Sequence, residues 1–287
     1  MKTPRTPQPT ARTGAAELAG AAEAHLATCD DRMRELVSKV GPLLLRRKDS
    51  PAEPGRGVRS TFNALAESIV YQQLNGNAAA TIYARLCALF EGGEVHPEGL
   101  LALGDGALRG AGLSRGKTLA LRDLAKRTLA GTVPTLAQLN TMTDDAIVES
   151  LVQVRGIGRW TAEMLLIFRL GRPDVLPTTD YGIRNGFMLA YRKRSLPTPE
   201  ELARHGETWR PHRTAASWYL WRAVDLARAK ASAATPAKAK VAKTPAKAKP
   251  AKTLAKAKAT KAQAKKTRAR ARRRKVALMR VSVLQRA

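Results

Sequence analysis

Two glycines inside an otherwise helix-forming run, Gly156 and Gly158 in LVQVRGIGRWTAEMLLIF (residues 151–168), dictate a sharp reversal in which one helix ends and a second begins at once. Glycine reaches positive φ without strain and leaves room for a close approach to the N–H groups at the start of the second helix. The helix dipole favours an anion there. Ile157 is placed to plug the turn into the core, while Arg155 and Arg159 flank it and could add charge to a bound phosphate. A bare Gly-x-Gly also serves any tight turn between packed helices, and both readings stand at this point.

Helical periodicity dominates elsewhere. Phe62, Leu65, Ile69 and Val70 share one helical face, with Asn75-Gly76 as the expected stop, and a second helix is expected through Ile82, Leu86 and Phe90. After the turn LRGAGLSRGK, Leu119, Leu121, Leu124 and Leu129 mark another helix, and Thr143 is placed to cap one that carries Ile147 and Leu151. No alternating strand pattern occurs. The expected fold is all-α, about ten helices in a compact two-lobed body divided by a cleft, followed by a disordered basic tail.

The charge is lopsided. Of 51 Lys+Arg, 21 lie from Arg228 onward with no acid after Asp225, which leaves +7 of the formal +28 for the rest of the chain. The near-repetitive TPAKAKVAKTPAKAKPAKTLAKAKATKAQAKK has no aromatic residue to anchor a core and reads as a flexible polycation. Expected boundaries are a disordered start over 1–17, a folded domain over 18–228 and a DNA-binding tail over 229–287. Cys29 and Cys87 are too few for a cysteine-built zinc or iron-sulfur site, and His25, His96, His205 and His212 show no metal-ligand spacing. No metal and no cofactor are expected. No apolar run approaches the ~20 residues of a spanning helix. A soluble monomer without membrane contact is expected, cytoplasmic and nucleoid-associated in a bacterium. In a eukaryote RARARRRK at 268–275 could serve as a nuclear signal. Residues 276–287 are mildly apolar and suggest no function.

Some twenty residues after the hairpin comes LPTTDYGIRN, in which Pro177 ends an extended segment and Asp180 stands at the start of a helix. On its own Asp180 reads as an N-cap. The hairpin, the gap and the Pro-x-x-Asp together resemble the helix-hairpin-helix base-excision glycosylases, and among them the 3-methyladenine DNA glycosylase II branch. The resemblance covers roughly residues 25–228 and extends through SIVYQQLNGNAAATIYARL and WRPHRTAASWYLW. Arg155 stands where the family commonly has Pro, and the amino-terminal sheet domain of longer relatives has no room here.

The resemblance implies a catalytic role for Asp180. It also implies that Gln73, with Leu74 as the neighbouring candidate, wedges into the DNA stack when a base is flipped out. Trp160 and Trp221 match pocket positions, and Trp218 and Tyr71 are further rings that could stack on an electron-poor alkylated base. Trp218 is equally well read as core, Leu74 as core and Gln73 as a solvated side chain. Relatives that cleave the backbone use a lysine amine, and Trp160 holds that position. The implied activity is monofunctional: alkylated purines are removed from double-stranded DNA to leave an abasic site. A cation bridging phosphate and the carbonyls near Gly156 and Gly158 is a further family-based possibility. The tail is expected to hold DNA without sequence preference. Two rivals remain, a non-enzymatic DNA-compacting protein and a same-fold glycosylase for oxidised bases.

Overall fold

Short polar side chains set where the helices start. Asp30, Ser60, Asn75, Ser114, Thr135, Thr143 and Thr198 each accept a hydrogen bond from the backbone N–H three residues on, satisfying a donor that the first helical turn leaves without an intrahelical partner. In the computed structural model, which describes residues 11–45 and 60–234, the result is thirteen α-helices and no strand among the described residues. They are α1 (Ala11–Cys29), α2 (Asp31–Val40), α3 (Thr61–Tyr71), α4 (Gly76–Cys87), α5 (Pro97–Ala102), α6 (Asp105–Gly110) and α7 (Arg115–Leu129). Then follow α8 (Leu136–Thr141), α9 (Asp144–Leu151), α10 (Arg159–Leu165), α11 (Tyr181–Ala190), α12 (Pro199–Gly206) and α13 (Arg213–Ala234). A π turn, Leu166–Leu170, extends α10.

The all-α expectation holds, and the packing divides as two lobes. One joins α3 to α4 and α7, α7 to α5 and α6, and α10 to α9 and α3; the other packs α13 against α11, α2 and α1, with α12 on α11. A single apolar core runs through both, from Leu65 and Leu121 to Ile183 and Trp221. The α11–α13 contact is backbone-close: a Cβ at Gly186 would run into the Leu220 carbonyl. Only glycine lets the two helices meet at that depth.

Some boundaries differ from expectation. Asn75 does not stop α3, which ends at Tyr71; its carboxamide oxygen instead caps α4 by accepting from Ala78 N–H at 2.8 Å. A side chain that competes for backbone N–H groups begins a helix more readily than it ends one. Helix α1 already runs through residues 11–17, where Ala11, Ala15, Ala16 and Glu17 favour helix, and α13 continues past Arg228 to Ala234. On α7, Leu121 and Leu124 enter the core while Leu119 and Leu129 stay 39% and 50% exposed, because only one face of that helix meets α3 and α5. Thr143 caps α9 as expected. The tail from residue 235 and the first ten residues lie outside the described residues.

Candidate active site

The segment between α10 and α11 is stitched to α13, which fixes where Asp180 stands. Thr214 Oγ1 accepts from Val175 N–H at 3.0 Å and donates to the Arg172 carbonyl at 2.6 Å, and Ser217 Oγ donates to the Val175 carbonyl at 3.1 Å. Arg213 Nε pairs with Asp174 Oδ1 at 2.7 Å. From that anchored strip the chain turns at Pro177, whose carbonyl accepts from Asp180 N–H at 3.0 Å, and α11 begins.

Asp180 is 5% exposed and three N–H groups converge on its carboxylate. Oδ1 accepts from Ile183 N–H at 2.7 Å and from Trp221 Nε1 at 3.1 Å; Oδ2 accepts from Trp160 Nε1 at 2.7 Å. The residue is thus an N-cap and also the centre of a side-chain cluster drawn from α10, α11 and α13. A carboxylate has about four acceptor directions, so one remains for a water or a sugar.

The two tryptophans expected as stacking rings hold the carboxylate through their indole N–H groups. Trp221 is 2% exposed and its ring is covered by Phe168, stacked at 5.9 Å, so no face is left for a base. Trp160 is half-buried. Trp218 packs edge-on against Tyr219 and under the Arg222 guanidinium at 5.5 Å, which favours the core reading. Tyr71 does border a crevice, together with Ser68, Met164 and Phe168, with the Glu67–Arg169 ion pair on its edge. Phe168 lies on the π turn, a helix irregularity often found at functional sites.

The hairpin forms as read. Gly156 has φ 80° and Gly158 adopts an extended conformation as the N-cap of α10, with open space where a Cβ would stand. Val154 and Ile157 are buried beneath it. Arg155, in place of the family's proline, uses the N–H that a proline would lack: it donates to Asp123 Oδ2 at 2.7 Å. Arg159 is turned back toward acids, its Nε donating to Glu163 Oε1 at 3.0 Å and its Nη2 lying 3.9 Å from Asp145.

The wedge candidates lie on the turn between α3 and α4. Gln73 has φ 59°, in the left-handed region that a non-glycine residue seldom adopts, and its side chain is exposed; Leu74 is half-buried. Three neighbours escaped the sequence reading. Gln72 Nε2 donates to the Gly156 carbonyl at 2.9 Å, tying this turn to the hairpin. Phe168 covers Trp221. Glu163 is 4% exposed, with one oxygen on Arg159 and the other, Oε2, without a hydrogen-bond partner. Burial pushes its carboxyl up to about 7, against the pull of Arg159 and helped by the Asp180 charge. A charged residue inside the apolar run TAEMLLIF was its signal.

Residues 66–211, half of the chain, match the HhH-GPD superfamily of base excision DNA repair proteins. The chain belongs to that superfamily. Among its HhH-GPD relatives, DNA-3-methyladenine glycosylase 1 of Schizosaccharomyces pombe is 36% identical over 207 residues, spanning 72% of this chain and 88% of that protein. The solved S. pombe 3-methyladenine DNA glycosylase in complex with abasic DNA superposes with a TM-score of 0.61 at 35% identity, covering 70% of this chain and 95% of the other. DNA-3-methyladenine glycosidase from Bacillus halodurans gives 0.62 at 33% identity, over 72% and 91%.

Proposed function

We propose that this protein is a monofunctional DNA glycosylase that hydrolyses the N-glycosidic bond of alkylated purines, 3-methyladenine and 7-methylguanine among them, and leaves an abasic site. The observation that carries this reading is the Asp180 carboxylate, held between Trp160 and Trp221 with one acceptor direction to spare. The names of the S. pombe and B. halodurans relatives support the substrate class.

A base inside a duplex must be extruded before its glycosidic bond can be reached. In this reading the hairpin around Gly156 and Gly158 holds a backbone phosphate and Gln73 fills the gap in the stack. Arg155 and Arg159 add charge, the latter once it leaves its acidic partners. An alkylated purine that is already cationic departs with little protonation, and positive charge then builds on the sugar. Asp180 stabilises that charge and orients the attacking water. The indole donors keep the carboxylate plane fixed throughout.

Schiff-base chemistry needs an amine in the cleft. Trp160 occupies the position implied for it, and Lys117, on α7, donates from its ammonium to the Val70 carbonyl at the end of α3 at 2.5 Å. Base release without strand cleavage is therefore expected.

The test is a panel of duplexes carrying 3-methyladenine, 7-methylguanine, hypoxanthine, 1-methyladenine, 8-oxoguanine or no lesion, assayed for released base with and without alkali. Asp180→Asn should bind the alkylated duplexes and fail to excise. Normal excision by this variant, or release confined to 8-oxoguanine, would overturn the proposal.

A further inference from the structure

We propose that the cavity at the C-terminal end of α11 is a phosphate-binding site, separate from the catalytic cleft and from the hairpin. The cavity is about 570 Å³ and lies between the end of α11 and α12, lined by Phe187, Lys193, Arg194, Ser195, Arg204 and His205 among others. Asp180 begins α11 and Phe187 lies near its far end, so roughly 10–15 Å of helix separates the two sites.

Three cations converge on this hollow and none has an acidic partner among the described residues. Elsewhere Arg169, Arg172, Arg210 and Arg213 are each paired with a carboxylate. Glu201, the carboxylate in the lining, closes the capping box of α12, its Oε2 accepting from Thr198 N–H at 2.7 Å. It is tied to the helix backbone and not to Lys193, Arg194 or Arg204.

Like charges held in a concave site repel until an anion enters, and such a site focuses the field that draws one in. Burial holds the His205 imidazole below its ordinary value, and the Lys193 charge pushes the same way against the pull of Asp30. Two guanidinium forks and one ammonium match the several oxygens of a phosphate. The chain's own basic tail has the wrong sign to occupy it. The phosphate could belong to a small soluble ligand or to a DNA backbone.

Lys193 offers a position-resolved readout. The full chain is acetylated sparingly with inorganic pyrophosphate, with succinate or with duplex DNA present, and modification of each lysine is followed by mass spectrometry. Pyrophosphate should protect Lys193 at a concentration at least tenfold below that protecting the tail lysines, succinate should not, and Arg194→Gln with Arg204→Gln should abolish the difference. Additional protection by DNA at the same lysine assigns the phosphate to a nucleic-acid backbone; its absence assigns a small soluble ligand. Equal protection of Lys193 and the tail, equal protection by succinate, or protection by DNA alone would overturn the site.

Discussion

Trp160 holds Asp180 through its indole N–H, and that bond can be tested apart from the ring. Trp160→Phe keeps an aromatic ring and removes the 2.7 Å bond to Asp180 Oδ2. A hydrogen bond to a charged group contributes about 1.5–3 kcal/mol, so single-turnover excision should fall roughly ten- to a hundredfold. An undiminished rate in a quench-flow assay would return Trp160 to a purely stacking role. Glu163 makes a different prediction. Its carboxyl is raised from an ordinary 4.5 to about 7 in the folded protein, so the folded state binds the proton more tightly than the unfolded chain. Stability linked to it is complete below pH 4.5, declines as pH rises toward 7 and levels off above. Glu163→Gln should flatten that decline, read from unfolding midpoints at pH 5, 6, 7 and 8. Parallel curves for the two proteins would mean that the carboxyl does not titrate in this window.

At the scale of elements, the α11–α13 contact sets the depth at which Asp180 sits. Gly186→Ala forces a methyl into the Leu220 carbonyl. Overpacking of this kind costs about 1–3 kcal/mol. The melting temperature should drop by roughly 2–4 °C per kcal/mol, and excision should fall as the cap shifts. A melting temperature within a degree of the parent would show that the helices can part without cost. The existence of the elements was legible from periodicity and from capping residues such as Thr143. The end of α3 was not, since Asn75 favours a boundary without saying on which side. The hairpin was legible from its two glycines. What they touch was not: the bond from Gln72 and the bond between Arg155 and Asp123 join residues far apart in sequence, where no local pattern records a partner. Likewise Asp180 could be named as a cap from its neighbours and as a catalyst only through resemblance, and nothing in the chain announced that two tryptophans would aim N–H groups at it instead of offering their faces.

For the whole molecule, the net charge is concentrated at one end: 21 of the 51 Lys+Arg lie from Arg228 onward, with no acid after Asp225. The tail from residue 235 lies outside the described residues, and from its composition alone we propose that it tethers the folded domain to DNA. Each phosphate neutralised contributes a slope of about −0.9 to log K against log salt. Deleting residues 235–287 should flatten that slope markedly and raise the apparent KM at moderate salt, while single-turnover excision stays intact. An unchanged slope would remove the tether. Among the described residues no helix is long and apolar enough to cross a membrane.

The bond from Gln72 to the Gly156 carbonyl has a mechanical meaning for the search along DNA. The residue after Gln72 is the exposed, left-handed Gln73, so the part proposed to hold the backbone and the part proposed to probe the stack are joined by a direct hydrogen bond. If those proposed roles hold, each grip on a phosphate would press a side chain against the neighbouring base pair, and a pair already weakened by damage would yield first. Inspection would need no separate step: the frequency of gripping sets the frequency of testing, and lesion recognition becomes a matter of which pairs give way during an ordinary dwell.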